Sequence, residues 1–103
     1  MTWLSIISLN KPSDKIWWAD ANPERAAENI NLLENLDVTI IYDNGTDQNT
    51  VKITFIYSDE QHYKDVQALY PSYPFKEEII LYHQENNIID TRIYLGPSDQ
   101  YTQ

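Results

Sequence analysis

The stretch Val38–Tyr57, VTIIYDNGTDQNTVKITFIY, constrains this chain more than any other. Large apolar residues fill every second position in Val38–Tyr42 and again in Val51–Tyr57, with a polar segment between them. That is the period of a strand that buries one face, and two such runs around a polar tip make an antiparallel hairpin. Setting Tyr42 opposite Val51, Ile40 opposite Ile53 and Val38 opposite Phe55 puts all six on one side. A slip of one residue would turn one set away from the other, so the pattern selects the shared face. This register places a tight turn at Thr46-Asp47. The Asn44-Gly45 dipeptide is also a strong turn signal, but a two-residue turn there would set Ile40 against Asn49.

Around this hairpin the remaining segments fall into place. Thr2–Leu9 is apolar, β-branched and short, and reads as a central first strand. Asn10–Ala21 is a connection broken at Pro12-Ser13, with Ile16, Trp17 and Trp18 in its second half. A helix begins at Asn22-Pro23, a residue type that caps followed by one whose missing N–H costs nothing at the first helical position. Ala26, Ile30, Leu33 and Leu36 recur on one side of it, and it is expected to end near Asn35. Ser58 and Gln61 resemble a capping box before a second helix over Asp59–Leu69. Tyr70-Pro71 and Tyr73-Pro74 form a stiff connector, with the isomeric state of each bond left open. Glu78–Gln84 and Ile88–Leu95 read as a second hairpin turning at Asn86-Asn87, which pairs Ile80 with Ile93 and sets His83 opposite Asp90. Gly96-Pro97 ends the last strand, and Ser98–Gln103 reads as a frayed tail.

This order predicts a single α+β domain over residues 1–103: a ferredoxin-like βαββαβ antiparallel sheet with an added C-terminal strand and two helices on one face. The other face would be open unless a partner or a second copy covered it. Fold of this kind does not give function.

Charge narrows the function classes. The 103 residues carry 16 acids against seven Lys and Arg, a net charge of −9. The excess is spread along the chain, −5 in residues 1–51 and −4 in residues 52–103. Contacts to phosphate need clustered Lys and Arg, so direct binding to nucleic acid or an anionic membrane is not expected. A basic protein partner is, because an acidic surface steers one in. The chain has no cysteine, hence no disulfide and no thiolate metal site. No basic N-terminal segment precedes a long apolar run and no run reaches spanning length, so a cytoplasmic protein is the expectation.

No catalytic, metal or nucleotide motif rises above background, and no cofactor or enzymatic activity is expected. His62 lies three residues after Asp59 on the second helix, a pair of potential ligands that falls short of a metal site. His83 opposite Asp90 would be a base with an orienting carboxylate, or an ordinary cross-strand pair. The aromatic content is more informative. Eight tyrosines and three tryptophans exceed what one small core needs, and both types are enriched where protein partners bind. The reading that results is a small non-catalytic protein that binds and inhibits a basic, nucleic-acid-binding or nuclease-like protein, as an immunity or inhibitor protein would. Its expected contacts are Trp17, Trp18 and Asp20 in the long loop, and Asp43 and Asp47 at the hairpin tip. The alternative is an assembly subunit, a homodimer or larger, that associates through the open sheet face or an edge strand.

Overall fold

The computed structural model describes residues 1–44 and 47–101. Four strands form one antiparallel sheet: β1 (Trp3–Asn10), β2 (Thr39–Asp43), β3 (Thr50–Tyr57) and β4 (Ile89–Pro97), in the order β2-β3-β1-β4. Strand β1 is central, as its two apolar faces require, and β2 and β4 are the edges. A one-turn helix, α1 (Trp18–Ala21), precedes three main helices: α2 (Pro23–Asn35), α3 (Glu60–Leu69) and α4 (Lys76–Glu85). No cis peptide bond occurs among the described residues, so both Tyr-Pro bonds are trans.

The β2–β3 hairpin forms with the expected faces inward but in a different register. Ile40 lies opposite Phe55 and Tyr42 opposite Ile53, two residues along from the pairing read off the sequence. A two-residue shift preserves the alternation, so hydrophobic pattern alone does not distinguish the two registers. The turn decides between them. Asp47 accepts from Asn49 N–H (2.8 Å) and from the Thr50 hydroxyl (3.3 Å), and Thr50 N–H closes on the Asp47 carbonyl (3.3 Å). Among the described residues these bonds form a turn at Asp47–Thr50. The two turns considered from sequence involve Gly45 and Thr46, which lie outside the described residues.

The larger correction is α4. Residues 76–85 are a helix, so the strand expected at Glu78–Gln84 and its hairpin are absent, the strand expected at Ile88–Leu95 forms as β4, and the main helices among the described residues number three rather than two. The run Ile79–Tyr82 is continuously apolar and carries neither strand nor helix period. Glu77 and Glu78 complement the N-terminal dipole. The Asn86-Asn87 pair is a helix end rather than a hairpin turn. Asn87 takes φ 56°, and Ile88 N–H returns to the His83 carbonyl (2.9 Å), six residues back to one. Helix α2 ends the same way: Asp37 takes φ 63°, Val38 N–H bonds the Leu33 carbonyl (3.1 Å) and Asp37 N–H the Glu34 carbonyl (2.9 Å). In both cases the next residue, Val38 or Ile88, is buried and leads into an edge strand.

All the helices pack on one face of the sheet. Trp3, Ile7, Leu9, Val51, Ile53, Phe55, Tyr57 and Ile40 meet Leu33 and Leu36 from the end of α2, Tyr63 and Val66 from α3, and Tyr82 from α4. Trp18, Ala26 and Phe75 extend this core beneath α1. The opposite face is partly covered by the chain's own C-terminus, which the sequence suggested was a loose tail. Ser98–Gln100 form a 3₁₀ turn tied to Thr2, with Ser98 N–H on the Thr2 carbonyl (2.9 Å). Tyr101 then lies against Tyr94 (5.0 Å between rings) and under the Lys52 ammonium (5.9 Å). Ile6 on this face is 1% exposed. A Cβ at Gly96 would meet the Tyr94 hydroxyl at 2.8 Å, so the ring would have to shift and strain the bond that this hydroxyl donates to the Pro97 carbonyl (2.6 Å).

Candidate functional site

The five residues expected to contact a partner do not converge. Trp18 is 6% exposed and packs edge-on against Phe75, with 6.0 Å between centroids. It offers a partner no surface. Its indole Nε1–H donates to Glu78 Oε2 (2.9 Å), and the Arg25 guanidinium grips both oxygens of the same carboxylate. This clamp fastens α4 to α1 and α2. Arg25 holds the Glu78 carboxyl below its ordinary range, opposed by partial desolvation and helped by the Trp18 hydrogen bond. Glu78 correspondingly raises Arg25.

Trp17 and Asp47 do meet at one end of the sheet, through two intermediaries. Lys11 lies 5.6 Å over the Trp17 ring and donates from Nζ to Asn49 Oδ1 (3.0 Å). Asn49 N–H in turn bonds Asp47. The Asp47 carboxylate is thus turned toward its own loop. Asp43 stands on β2 opposite Lys52 across the ladder, and Asp20 is exposed on α1.

The histidines are accounted for differently from the expectation. Asp59 is the cap of α3, accepting His62 N–H (2.7 Å). The His62 ring accepts Ser58 N–H at Nδ1 (2.9 Å), which places its proton on Nε2, and Nε2–H donates to the Leu36 carbonyl (2.6 Å). Nδ1 is taken up by the backbone just before α3 and Nε2 joins α3 to the end of α2, so neither nitrogen is turned to a ligand. His83 lies on α4, so it is not the cross-strand partner of Asp90. Burial lowers its pKa while the Asp90 charge raises it, which makes the pair a helix–strand neighbour. Among the described residues no group of three or more His, Cys, Asp or Glu is arranged to hold a metal ion. No helix among them is long and apolar enough to cross a membrane.

What sequence reasoning missed is a surface built where α2, β2 and α3 meet. A groove runs between the end of α2 and the edge strand, with Ile30, Val38, Ile40 and Tyr42 as its apolar lining and Glu34 and Asp37 on it. A second depression adjoins it, lined by Ser58, Asp59, Gln61, His62 and Asp65. Asp37 belongs to both. Its left-handed backbone at the helix end is what turns the chain between them. Four carboxylates line this surface, and no Lys or Arg among the described residues does. The two ion pairs among those residues, Arg25–Glu78 and Lys64–Glu60, neutralise none of the four. The Tyr42 phenol is pushed up by burial, as is Tyr73, to about 12, with Tyr42 and then Tyr70 adding to the burial effect.

In sequence, Glu34 and Asp37 flag only an acidic helix end. Nothing local links them to Asp59 and Asp65, which tertiary packing through the His62–Leu36 bond brings alongside. Against known proteins, no family model, curated protein or solved structure matches this chain.

Proposed function

We propose that this chain is a small non-catalytic binding protein whose α2–β2–α3 surface occupies a basic segment of another protein, in the manner of an inhibitor or immunity protein. The observation that carries the reading is the pair of adjoining depressions joined at Asp37, with four carboxylates and no cation among the described lining residues. Apolar side chains between the acids supply area, and the carboxylates select Lys or Arg. Strand β2 is a sheet edge, so a partner segment can add its backbone there while its basic side chains reach Glu34 and Asp37. Of the residues first expected to make contact, Asp43 lies on this edge, whereas Trp17, Asp20 and Asp47 would belong to its periphery. We also read the topology as ferredoxin-like with a helix inserted before the last strand. The support is that each edge strand is separated from the strand preceding its helices by one strand of the sheet. A cytoplasmic target fits a chain without cysteine.

The test is titration of isotope-labelled protein with a short peptide of alternating lysine and valine, against a glutamate–valine control. Amide shifts are expected at residues 37–43 and 59–65, with affinity falling as salt rises. The triple variant Glu34→Gln, Asp37→Asn, Asp65→Asn should bind about tenfold more weakly, since exposed ion pairs contribute about 0.2–1 kcal/mol each. Asp59 is left intact because it caps α3. Shifts spread evenly over every acidic region, or unchanged affinity in the triple variant, would overturn the assignment.

A further inference from the structure

The second edge strand has the opposite character. From Ile89 to Ile93 the chain reads I-D-T-R-I. About Thr91 this sequence is charge-symmetric: an apolar residue stands at each end, and an acid and a base flank the centre. An antiparallel copy centred on Thr91 would place Asp90 opposite Arg92 of the second copy, and Arg92 opposite its Asp90. Ile89 would lie toward Ile93 at both ends, at the margin of the pairing, since the register with β1 skips Ile93. Strand β4 is an edge, bonded only to β1. Ile89–Arg92 holds regular register with Asn10–Ile7, and the irregularity begins only beyond Arg92. Asp90 and Arg92 are both exposed. They share the helix-covered face, opposite Leu9 and Ile7. No ion pair or side-chain hydrogen bond among the described residues engages either one. Ile89 is 62% and Ile93 48% exposed. Native edges are usually blunted by Lys or Pro, yet neither occurs before Pro97 in β4.

We infer that β4 pairs with β4 of a second copy about a two-fold axis at Thr91, joining two sheets into one of eight strands. The two-fold doubles every contact, so one Asp–Arg match becomes two. A copy is favoured over an unrelated strand because the charge order of this strand complements its own reverse. The β2 edge is unsuited to the same pairing, because two copies there would bring Glu34 and Asp37 toward their counterparts. This inference does not rest on the basic-partner reading, which concerns the other edge. The ladder is short and the bend beyond Arg92 limits it, so a dimer of micromolar affinity is expected.

Sedimentation equilibrium at about 0.15 M salt, where long-range repulsion is screened beyond roughly 8 Å, tests it with four proteins. Wild type should dimerise. Asp90→Arg and Arg92→Asp should each be monomeric, because like charges then oppose across the axis. The two single variants mixed in equal amounts should form a heterodimer, and the double swap D90R/R92D should dimerise again. Circular dichroism of each variant separates loss of pairing from loss of fold. A strictly monomeric wild type at several hundred micromolar overturns the inference. So do single variants that fold and dimerise like wild type, or a mixture that stays monomeric.

Discussion

Strand β2 is entered from α2 through Asp37 in left-handed conformation, and β4 from α4 through Asn87 in the same conformation. Each entry buries the next residue, Val38 or Ile88, and each strand becomes an edge of the sheet. The flanks then diverge. Beside β2, α2 and α3 close in and leave a groove whose charges are all acidic among the described lining residues. Beside β4, Leu95 and Ile93 remain exposed and the charged pair Asp90 and Arg92 is balanced. One local device thus delivers two edges of different charge, to which the two proposals assign different partners. An edge with charge of one sign selects a partner of the other sign, and an edge whose charge order complements its own reverse selects itself.

The largest effects should come from the buried hinge residues. Ile88→Ala is expected to cost about 2–5 kcal/mol. Val38→Ala, which removes fewer carbons, should cost about 2 kcal/mol. Denaturant midpoints at constant slope check both, and a larger loss at Val38 would mean that the β2 entry carries the heavier share of the core. Next is the clamp that fastens α4 to α1 and α2. Trp18→Phe keeps the packing against Phe75 but removes the bond to Glu78, and should cost about 1–2 kcal/mol in thermal melts.

The same clamp has a pH signature. The folded carboxyl of Glu78 is depressed, first by Arg25. Its contribution is therefore present above the ordinary carboxylate range and lost as pH falls through the folded value. Glu78→Gln should flatten the acid limb of the stability profile. At the alkaline end the sign reverses. Tyr57 and Tyr73 are each pushed up to about 12, chiefly by burial. Their stabilising share persists below pH 10 and is lost as pH rises toward 12. Ultraviolet titration should show tyrosine ionisation extending up to about 12, and complete ionisation in a single step near 10 would contradict the packing of these rings.

The smallest effects distinguish the two left-handed residues. Asp37→Gly and Asn87→Gly should each stabilise by about 0.5–1 kcal/mol, since glycine adopts positive φ without a Cβ penalty. Only Asp37→Gly should also weaken the lysine–valine peptide. Equal binding by both variants would remove Asp37 from the acidic surface.

Much of this frame is readable from residues. The alternation in Val38–Tyr42 and Val51–Tyr57 identifies a hairpin and its inward face, and Asn22-Pro23 marks the start of α2 at the observed residue. Its cap operates otherwise than expected, because the Asn22 side chain bonds the Trp18 carbonyl rather than an N–H of α2. The cap of α3 is Asp59, one residue past Ser58. Helix α4 eludes the pattern because four consecutive apolar residues carry neither period, and Asn86-Asn87 signals a hairpin and a helix end alike. That misreading left Ile88–Leu95 at an edge but paired it with 78–84, whereas β4 pairs with β1. The acidic groove depends on α2 and α3 meeting through His62, a contact between residues 26 apart in sequence that no local spacing announces.

The most direct test of two edges with two selectivities is backbone amide exchange, read residue by residue in one experiment. Protection should be followed on dilution and on addition of the lysine–valine peptide. Dilution should deprotect amides of Ile89–Ile93 while leaving Thr39–Asp43 unchanged, and peptide should protect Thr39–Asp43 while leaving Ile89–Ile93 unchanged. Peptide protection at β4, or dilution that exposes β2 and β4 together, would contradict the division of labour between them.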